Sequence, residues 1–206
     1  MKMTEAEFQR IYRYVKLHYG IDMSKKKEIM TGRLENYVVV HGYASYDAFM
    51  NALETDPTGH MEKRLIGMLT TNHTFFMREF EHMEYLSRVV LPELSKKEAK
   101  TKDLGIWCAA ASSGEEPYML AMLIKDYFGL DHANWDTTIL ATDVSAEILE
   151  QATRGIYTAD AIAPMPAQWK RRYFKACPDG LHYQVTDEIK KESEINVAKE
   201  DTAIAP

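Results

Sequence analysis

The chain has 206 residues, of which 46% are hydrophobic and 27% charged, and its two cysteines are Cys108 and Cys177. This composition is typical of a globular protein and excludes a disordered tail, a collagen or a disulfide scaffold. The N-terminus lacks the apolar core of a signal peptide, and no run approaches the ~18 apolar residues of a membrane span. We therefore expect a soluble, cytoplasmic protein with no membrane insertion.

The net charge of −6 arises in the C-terminal part of the chain. Residues 1–90 hold 12 basic and 12 acidic side chains, whereas the remaining residues hold 13 basic and 19 acidic ones. Domains that bind nucleic acid are basic overall, so no nucleic-acid partner is expected. The first 40 residues, with eight basic and five acidic side chains, favour a local basic docking surface.

Apolar residues recur at helical spacing in the first part of the chain. The predicted helices cover about 4–19, 25–40, 45–55 and 60–69. Thr4 and Glu7 form a predicted capping box at the start of the first helix, and Gly20 ends it. This pattern predicts a small helical bundle, and we assign residues 1–90 to a helical domain.

The pattern changes beyond Pro92, and we assign the largely polar stretch 91–103 to a linker. Two short apolar runs then predict buried strands, and each is followed by a loop and a helix. The strands are predicted over 104–110 and 137–142, and the helices over 118–128 and 144–154. This order is the opening of a parallel α/β sheet, and we assign residues 104–206 to that domain.

Two features lie where these strands end, the position at which ligands bind in doubly wound sheets. The small residues of the loop 111–114 let a ligand approach the backbone, while Glu115 and Glu116 disfavour a phosphate. Asp143, at the end of the second strand, can accept hydrogen bonds from two ribose hydroxyls. S-adenosylmethionine fits this pattern because it has a ribose and cationic groups but no phosphate.

Each feature also has a structural interpretation. Gly114 fits a tight turn, the two glutamates fit helix-capping acids, and Asp143 fits an N-cap. The segment 70–79 fits a loop that leads into a helix, with Phe75 and Phe76 in the core. A domain that binds nucleotide phosphates is a third alternative, which the acidic loop disfavours.

Four motifs in this order resemble the CheR-type chemotaxis receptor methyltransferases, which transfer a methyl group from S-adenosylmethionine to receptor glutamates. The motifs are TTNHTFFMRE (70–79), IWCAAASSGEEPYMLAMLI (106–124), ILATDVSAEILEQATRGIY (139–157) and WKRRYF (169–174). The resemblance covers about residues 5–185. It implies an α/β protein in which an N-terminal helical bundle precedes a class I, Rossmann-like methyltransferase domain.

The resemblance also implies roles for individual residues. The implied cofactor contacts are Asn72, Thr74, Arg78, Gly114, Glu116 and Asp143. Arg78 is also the implied catalytic residue, near the carboxylate that accepts the methyl group. The implied receptor-binding residues, for which a solvated helix face is the alternative, are Lys25, Lys26, Lys27 and Arg33. The implied partners are the cytoplasmic domains of chemotaxis receptors, and the implied product is S-adenosylhomocysteine.

The resemblance stops before the end of the chain. After Val185, Asn196-Val197 is a faint match to an Asn-Leu cofactor contact of the family, and we expect neither a later strand nor the family's small β-subdomain. The domain is therefore expected to be incomplete, and a homo-oligomer or a partner would cover its sheet. Two hypotheses remain, a working protein-glutamate methyltransferase and a truncated, inactive relative that binds cofactor or receptor. The seven histidines show no ligand spacing, so no metal site is expected.

Overall fold

The computed structural model describes residues 1–197. Their contacts divide these residues into two compact units. The first unit contains Met1–Thr71 and Val144–Glu147, and the second contains Asn72–Asp143 and Ile148–Val197.

The first unit is built from the four predicted helices. These are α1 (Glu5–Tyr19), α2 (Lys27–Val40), α3 (Tyr46–Glu54) and α4 (His60–Leu69). The predicted capping box is confirmed, because the Thr4 hydroxyl accepts a hydrogen bond from the Glu7 amide while the Glu7 carboxylate accepts one from the Thr4 amide. Gly20 ends α1 in the left-handed conformation, with φ at 65°.

Each helix contributes to one shared core in this unit. Ile11, Leu34, Phe49 and Leu65, one from each helix, are completely buried. Burying each such side chain stabilises the fold by roughly 1.5–3 kcal/mol relative to leaving it in water. The predicted bundle is therefore confirmed, although α2 begins two residues later than predicted.

The second unit contains a parallel sheet of three strands. Its strands are β1 (Ile106–Ala109), β2 (Ile139–Asp143) and β6 (Ser193–Val197), in the order β1-β2-β6. The helices that follow β1 and β2 are α7 (Glu115–Phe128) and α8 (Ala146–Arg154). The predicted order of strand, loop, helix, strand and helix is thus confirmed, and β1 pairs with β2 in parallel as predicted. The pairing of β6 with β2 is also parallel, but the sequence pattern did not predict this third strand.

A second, antiparallel sheet lies in the same unit. Its strands are β3 (Ile156–Thr158), β4 (Phe174–Ala176) and β5 (His182–Val185), in the order β3-β5-β4. Three short helices connect these strands and β6, namely α9 (Ala159–Ile162), α10 (Ala167–Tyr173) and α11 (Asp187–Lys191).

The expectation of no strand after Val185 and no small β-subdomain was wrong. The strands β3, β4 and β5 have three or four residues each, which is too short for apolar alternation to be recognised. The strand β6 reads SEINV, so the apolar run that marked β1 is absent, and pairing with β2 gives it its structure.

The segment between the bundle and β1 is helical and packs within the second unit. It contains α5 (Phe80–Tyr85), a π-helical turn (Leu86–Val90) and α6 (Leu91–Lys97). A 3-10 helix (Gly129–Asn134) follows α7 later in the chain. The division of the structure after Thr71 thus differs from the predicted domain boundaries at 90 and 104. Leu91, the first residue of the predicted linker, is buried in the second core because a helix places it there.

Candidate functional site

The loop between β1 and α7 has a tightly constrained backbone. Ala110, Ser112 and Gly114 have φ values of 59°, 49° and 97°, in the left-handed region. A Cβ atom at Gly114 would lie 3.0 Å from the Tyr157 hydroxyl and 3.1 Å from the Ala152 methyl group. Glycine is therefore required at this position for both its φ angle and its lack of a side chain.

The loop is bound to the end of β2. The Ala111 amide donates a 2.8 Å hydrogen bond to the Thr142 carbonyl, and the Ser112 amide donates a 2.9 Å hydrogen bond to Oδ2 of Asp143. Asp143, the last residue of β2, is 6% exposed and therefore buried. The loop 111–114 and Asp143, the two features predicted at the strand ends, are thus in direct contact.

The two adjacent glutamates have different environments. Glu115 is buried and accepts a 2.6 Å hydrogen bond from the Ser113 hydroxyl, whereas Glu116 is exposed. Oε1 of Glu116 lies 3.6 Å from the thiol of Cys108, in β1. Burial, followed by the charge of Glu116, raises the pKa of the Cys108 thiol to about 12. Glu115 therefore supports the loop, and Glu116 carries the carboxylate that a ligand can reach.

The segment 72–79 joins this loop at its first residue. The Ser112 hydroxyl donates a 3.2 Å hydrogen bond to the Asn72 carbonyl, and Thr74 is half-buried nearby in the chain. Arg78 is half exposed, and its Nη1 donates a 2.9 Å hydrogen bond to the His73 carbonyl. The structure thus connects the segment that carries Arg78 to the loop that carries Glu116.

Phe76 fixes this segment to the second core. It is 1% exposed and makes edge-on ring contacts with Tyr157 at 4.8 Å and with Phe174 at 5.8 Å between centroids. Phe75 is 48% exposed instead. The interpretation that both phenylalanines lie in the core therefore holds for Phe76 alone.

Two features at this site, Tyr157 and the end of β6, are not among the site residues that the resemblance implies. Tyr157 donates a 2.7 Å hydrogen bond from its hydroxyl to the Ser113 carbonyl. Asn196 lies opposite Thr142 in the register of β6, so the backbone of β6 reaches the same edge of the sheet as Asp143. In the sequence, Tyr157 is the last residue of the third family motif, which is the signal that could have pointed to it. The faint Asn196-Val197 match is the signal that could have pointed to β6.

The four basic residues near α2 do not share one environment. Lys25 and Lys26 are exposed and precede the helix, while Lys27 forms a 2.9 Å ion pair with Glu5. Arg33 binds the carboxyl end of α4. Its guanidinium donates hydrogen bonds to the Leu69 and Thr70 carbonyls and to the Thr71 hydroxyl. Lys25 and Lys26 therefore remain available at the surface, whereas Arg33 caps a helix.

Two family models match the chain on either side of Thr71. The model described as "CheR methyltransferase, all-alpha domain" matches residues 6–70, and "CheR methyltransferase, SAM binding domain" matches residues 72–202. The chain belongs to the CheR methyltransferase family. The predicted fold class and the family resemblance are confirmed, and S-adenosylmethionine is the cofactor that the matched CheR domain binds.

Relatives of this CheR family chain are named chemotaxis protein methyltransferases. One from Borreliella burgdorferi is 35% identical over 195 residues, which are 93% of this chain and 68% of the relative. One from Escherichia coli is 30% identical over 175 residues, which are 84% of this chain and 58% of the relative. The chain thus spans about three fifths to two thirds of the length of these relatives.

Two further findings concern the CheR family chain within residues 1–197. No helix in that range is both long enough and apolar enough to cross a membrane. The same residues contain no cluster of histidine, cysteine and carboxylate side chains that could hold a metal ion.

Proposed function

We propose that the chain transfers a methyl group from S-adenosylmethionine to glutamate side chains of chemotaxis receptors. The observation that carries this proposal is the hydrogen bond between the Ser112 amide and Asp143, in a loop that also binds Asn72. It brings three of the four family motifs to the carboxyl edge of the parallel sheet, the usual ligand position in such folds.

The chemistry of these residues fits the cofactor. The carboxylate of Asp143 suits the two ribose hydroxyls, which are hydrogen-bond donors. The exposed carboxylate of Glu116 suits the positively charged groups of the methionine part. Gly114 allows a close approach to the backbone, and Asn72 and Thr74 supply polar groups from the adjoining segment. An acidic loop of this kind would repel a nucleotide phosphate.

Little acid–base chemistry is required of the protein. A glutamate side chain in water has a pKa of ~4.3, so the acceptor is already an anion at neutral pH. When bound, S-adenosylmethionine supplies a methyl group on a positively charged sulfur. The sulfur leaves readily because it becomes a neutral thioether, that of S-adenosylhomocysteine. The chain's own task is to place the acceptor carboxylate in line with that methyl group. Arg78 is the residue proposed for this task, because a guanidinium binds a carboxylate through two N–H groups.

The exposed lysines before α2 support the proposed receptor contact. Lys25 and Lys26 lie at the surface, and Lys27 is next to them at the start of the helix. A receptor surface that presents several glutamates is acidic, and a cluster of ammonium groups would attract it. We place this encounter in the cytoplasm, where the methyl-accepting domains of the receptors lie.

A second contact surface is proposed on the parallel sheet. Trp107 and Leu140 are 48% and 38% exposed on neighbouring strands. Large apolar side chains exposed on adjacent strands are a common feature of interfaces between chains. We propose that a second copy of the chain packs against these exposed side chains. Light scattering at micromolar concentration would then give the mass of a dimer.

The test is the transfer of a labelled methyl group to the cytoplasmic fragment of a receptor. We expect base-labile label on receptor glutamates, and we expect Arg78→Ala to lower the rate by about a hundredfold, as loss of an aligned charged pair does. Arg78→Lys keeps the positive charge but not the pair of N–H groups that binds a carboxylate, and it should retain part of the rate. Arg88→Ala, which removes an exposed arginine paired with Glu84, is the matched control and should leave the rate unchanged.

The outcomes separate the two hypotheses for the chain. Transfer that depends on Arg78 supports the methyltransferase. Tight binding of the cofactor with no transfer to any receptor fragment would instead assign the chain to the inactive, binding relative. Transfer that is unaffected by Arg78→Ala would contradict the role given to this residue.

A further inference from the structure

One side chain of the antiparallel sheet reaches the loop of the proposed cofactor site. Tyr157, in β3, is 7% exposed, and its hydroxyl donates a 2.7 Å hydrogen bond to the Ser113 carbonyl. Ser113 lies between Ser112, whose amide binds Asp143, and Gly114, whose missing side chain leaves room for the Tyr157 hydroxyl. The hydroxyl thus binds the centre of the loop.

The ring of the same tyrosine contacts the segment that carries Arg78. Phe76 packs edge-on against Tyr157 with 4.8 Å between the ring centroids, and it also contacts Phe174 in β4. Tyr157 therefore touches both parts of the chain that supply the proposed cofactor contacts, through its hydroxyl on one side and its ring on the other.

The loop requires such support because its backbone is unusual. Ser112 has φ at 49°, a conformation that costs a non-glycine residue of the order of 1 kcal/mol or more and persists only where surrounding contacts impose it. The contacts around Ser112 include two hydrogen bonds that it donates, from its amide to the Asp143 carboxylate and from its hydroxyl to the Asn72 carbonyl. The Tyr157 hydroxyl adds a third, which it donates to the Ser113 carbonyl. Burial raises the pKa of the Tyr157 hydroxyl, so this group stays protonated and donates at any physiological pH.

We propose that Tyr157 is a positioning residue for the cofactor: its hydroxyl holds Ser112–Gly114 in the conformation that binds S-adenosylmethionine. The inference rests on the proposed function, and it gives the antiparallel sheet a role in cofactor binding. Neither Tyr157 nor its sheet was assigned such a role by the sequence pattern.

The chain offers a matched control for the test. Tyr118, in α7, is also buried, and its hydroxyl donates a 2.6 Å hydrogen bond to the Ala152 carbonyl. Tyr157→Phe and Tyr118→Phe therefore each remove one buried hydroxyl from one backbone carbonyl and leave the ring in place. The carbonyl affected belongs to the loop in the first variant and to α8 in the second.

Two measurements on the full chain make up the experiment. Calorimetric titration with S-adenosylhomocysteine should show about tenfold weaker binding for Tyr157→Phe, the effect of one buried hydrogen bond, and less than about twofold for Tyr118→Phe. Amide exchange by NMR, without ligand, should be about tenfold faster at Ser112 and Gly114 in Tyr157→Phe than in Tyr118→Phe. Thermal unfolding of both variants shows whether their loss of stability is similar.

Each outcome has a definite meaning. Equal affinity and equal exchange in the two variants would overturn the inference, because the two hydroxyls would then be only structural. A wild-type chain that binds no S-adenosylhomocysteine, with exchange that still differs as expected, would overturn the proposed cofactor site and leave the support of the loop by Tyr157 standing.

Discussion

The backbone amide of Ser112 donates a 2.9 Å hydrogen bond to Oδ2 of Asp143, 31 positions later in the chain. The parallel register of β1 and β2, which sets Ala109 opposite Thr142, makes this contact possible. The carboxylate thus has a structural role in the loop in addition to its proposed role with the ribose. Substitutions at this position are expected to affect both.

Asp143→Ala should weaken the binding of S-adenosylhomocysteine by at least about a hundredfold, because hydrogen bonds to a charged group contribute about 1.5–3 kcal/mol each. Asp143→Asn keeps one acceptor for the Ser112 amide and should be affected less. Asp136→Ala is the control, since Asp136 precedes the other end of β2 and also accepts a hydrogen bond from a backbone amide, that of Thr138. Calorimetry measures all three variants, and equal affinity for Asp143→Ala and Asp136→Ala would exclude Asp143 from the cofactor site.

Two adjacent phenylalanines should differ strongly in their effect on stability. Phe76→Ala removes a buried ring and should lower the free energy of unfolding by about 3–5 kcal/mol. Phe75→Ala removes a ring that is 48% exposed and should cost less than about 1 kcal/mol. Urea unfolding of the two variants checks the difference, and similar midpoints would contradict the placement of the segment 72–79.

Arg33 is expected to act on stability through the end of α4. Arg33→Ala leaves the Leu69 and Thr70 carbonyls without their cationic donor, and we expect a loss of about 1–2 kcal/mol. Lys25→Ala changes an exposed residue and should stay within about 0.5 kcal/mol. The measurement is thermal unfolding in low and high salt. An Arg33→Ala chain as stable as the wild type would return this residue to the set of receptor-binding candidates.

The two cysteines should react at very different rates with iodoacetamide. Burial and the nearby Glu116 carboxylate raise the pKa of Cys108 to about 12, so almost none of its thiol is ionised at pH 8. Cys177 is only half-buried and should be modified first. Since the thiolate is the reactive form, raising the pH from 7 to 9 should not bring Cys108 to the rate of Cys177 in the folded chain. Mass spectrometry of the digested protein measures both rates, and rapid modification of Cys108 would contradict its burial.

Much of the fold followed from local patterns in the sequence. The caps at Thr4 and Gly20 and the apolar spacing between them identify α1 from its own residues, and the packing of its apolar face stabilises it. The apolar run at β1 and the small residues after it likewise predicted a strand that ends in a loop. Such signals are complete within about 20 residues, so they can be recognised from the sequence alone.

The short strands could not be predicted in this way. The strand β3 has three residues, and its structure depends on hydrogen bonds to β5, more than 20 residues later. The polar strand β6 likewise depends on its register with β2. The sequence by itself therefore determined the helical bundle, the first two parallel strands and the family motifs.

Only the tertiary structure decided which of several equivalent residues face the site. It distinguished buried Phe76 from exposed Phe75 and exposed Glu116 from buried Glu115. It also showed that Arg33 donates hydrogen bonds to the carboxyl end of α4 and that Tyr157 donates one to the Ser113 carbonyl. The physical reason is the same in each case: periodicity and motif spacing fix the type of element, but the direction of a side chain is set by partners that are distant in the sequence.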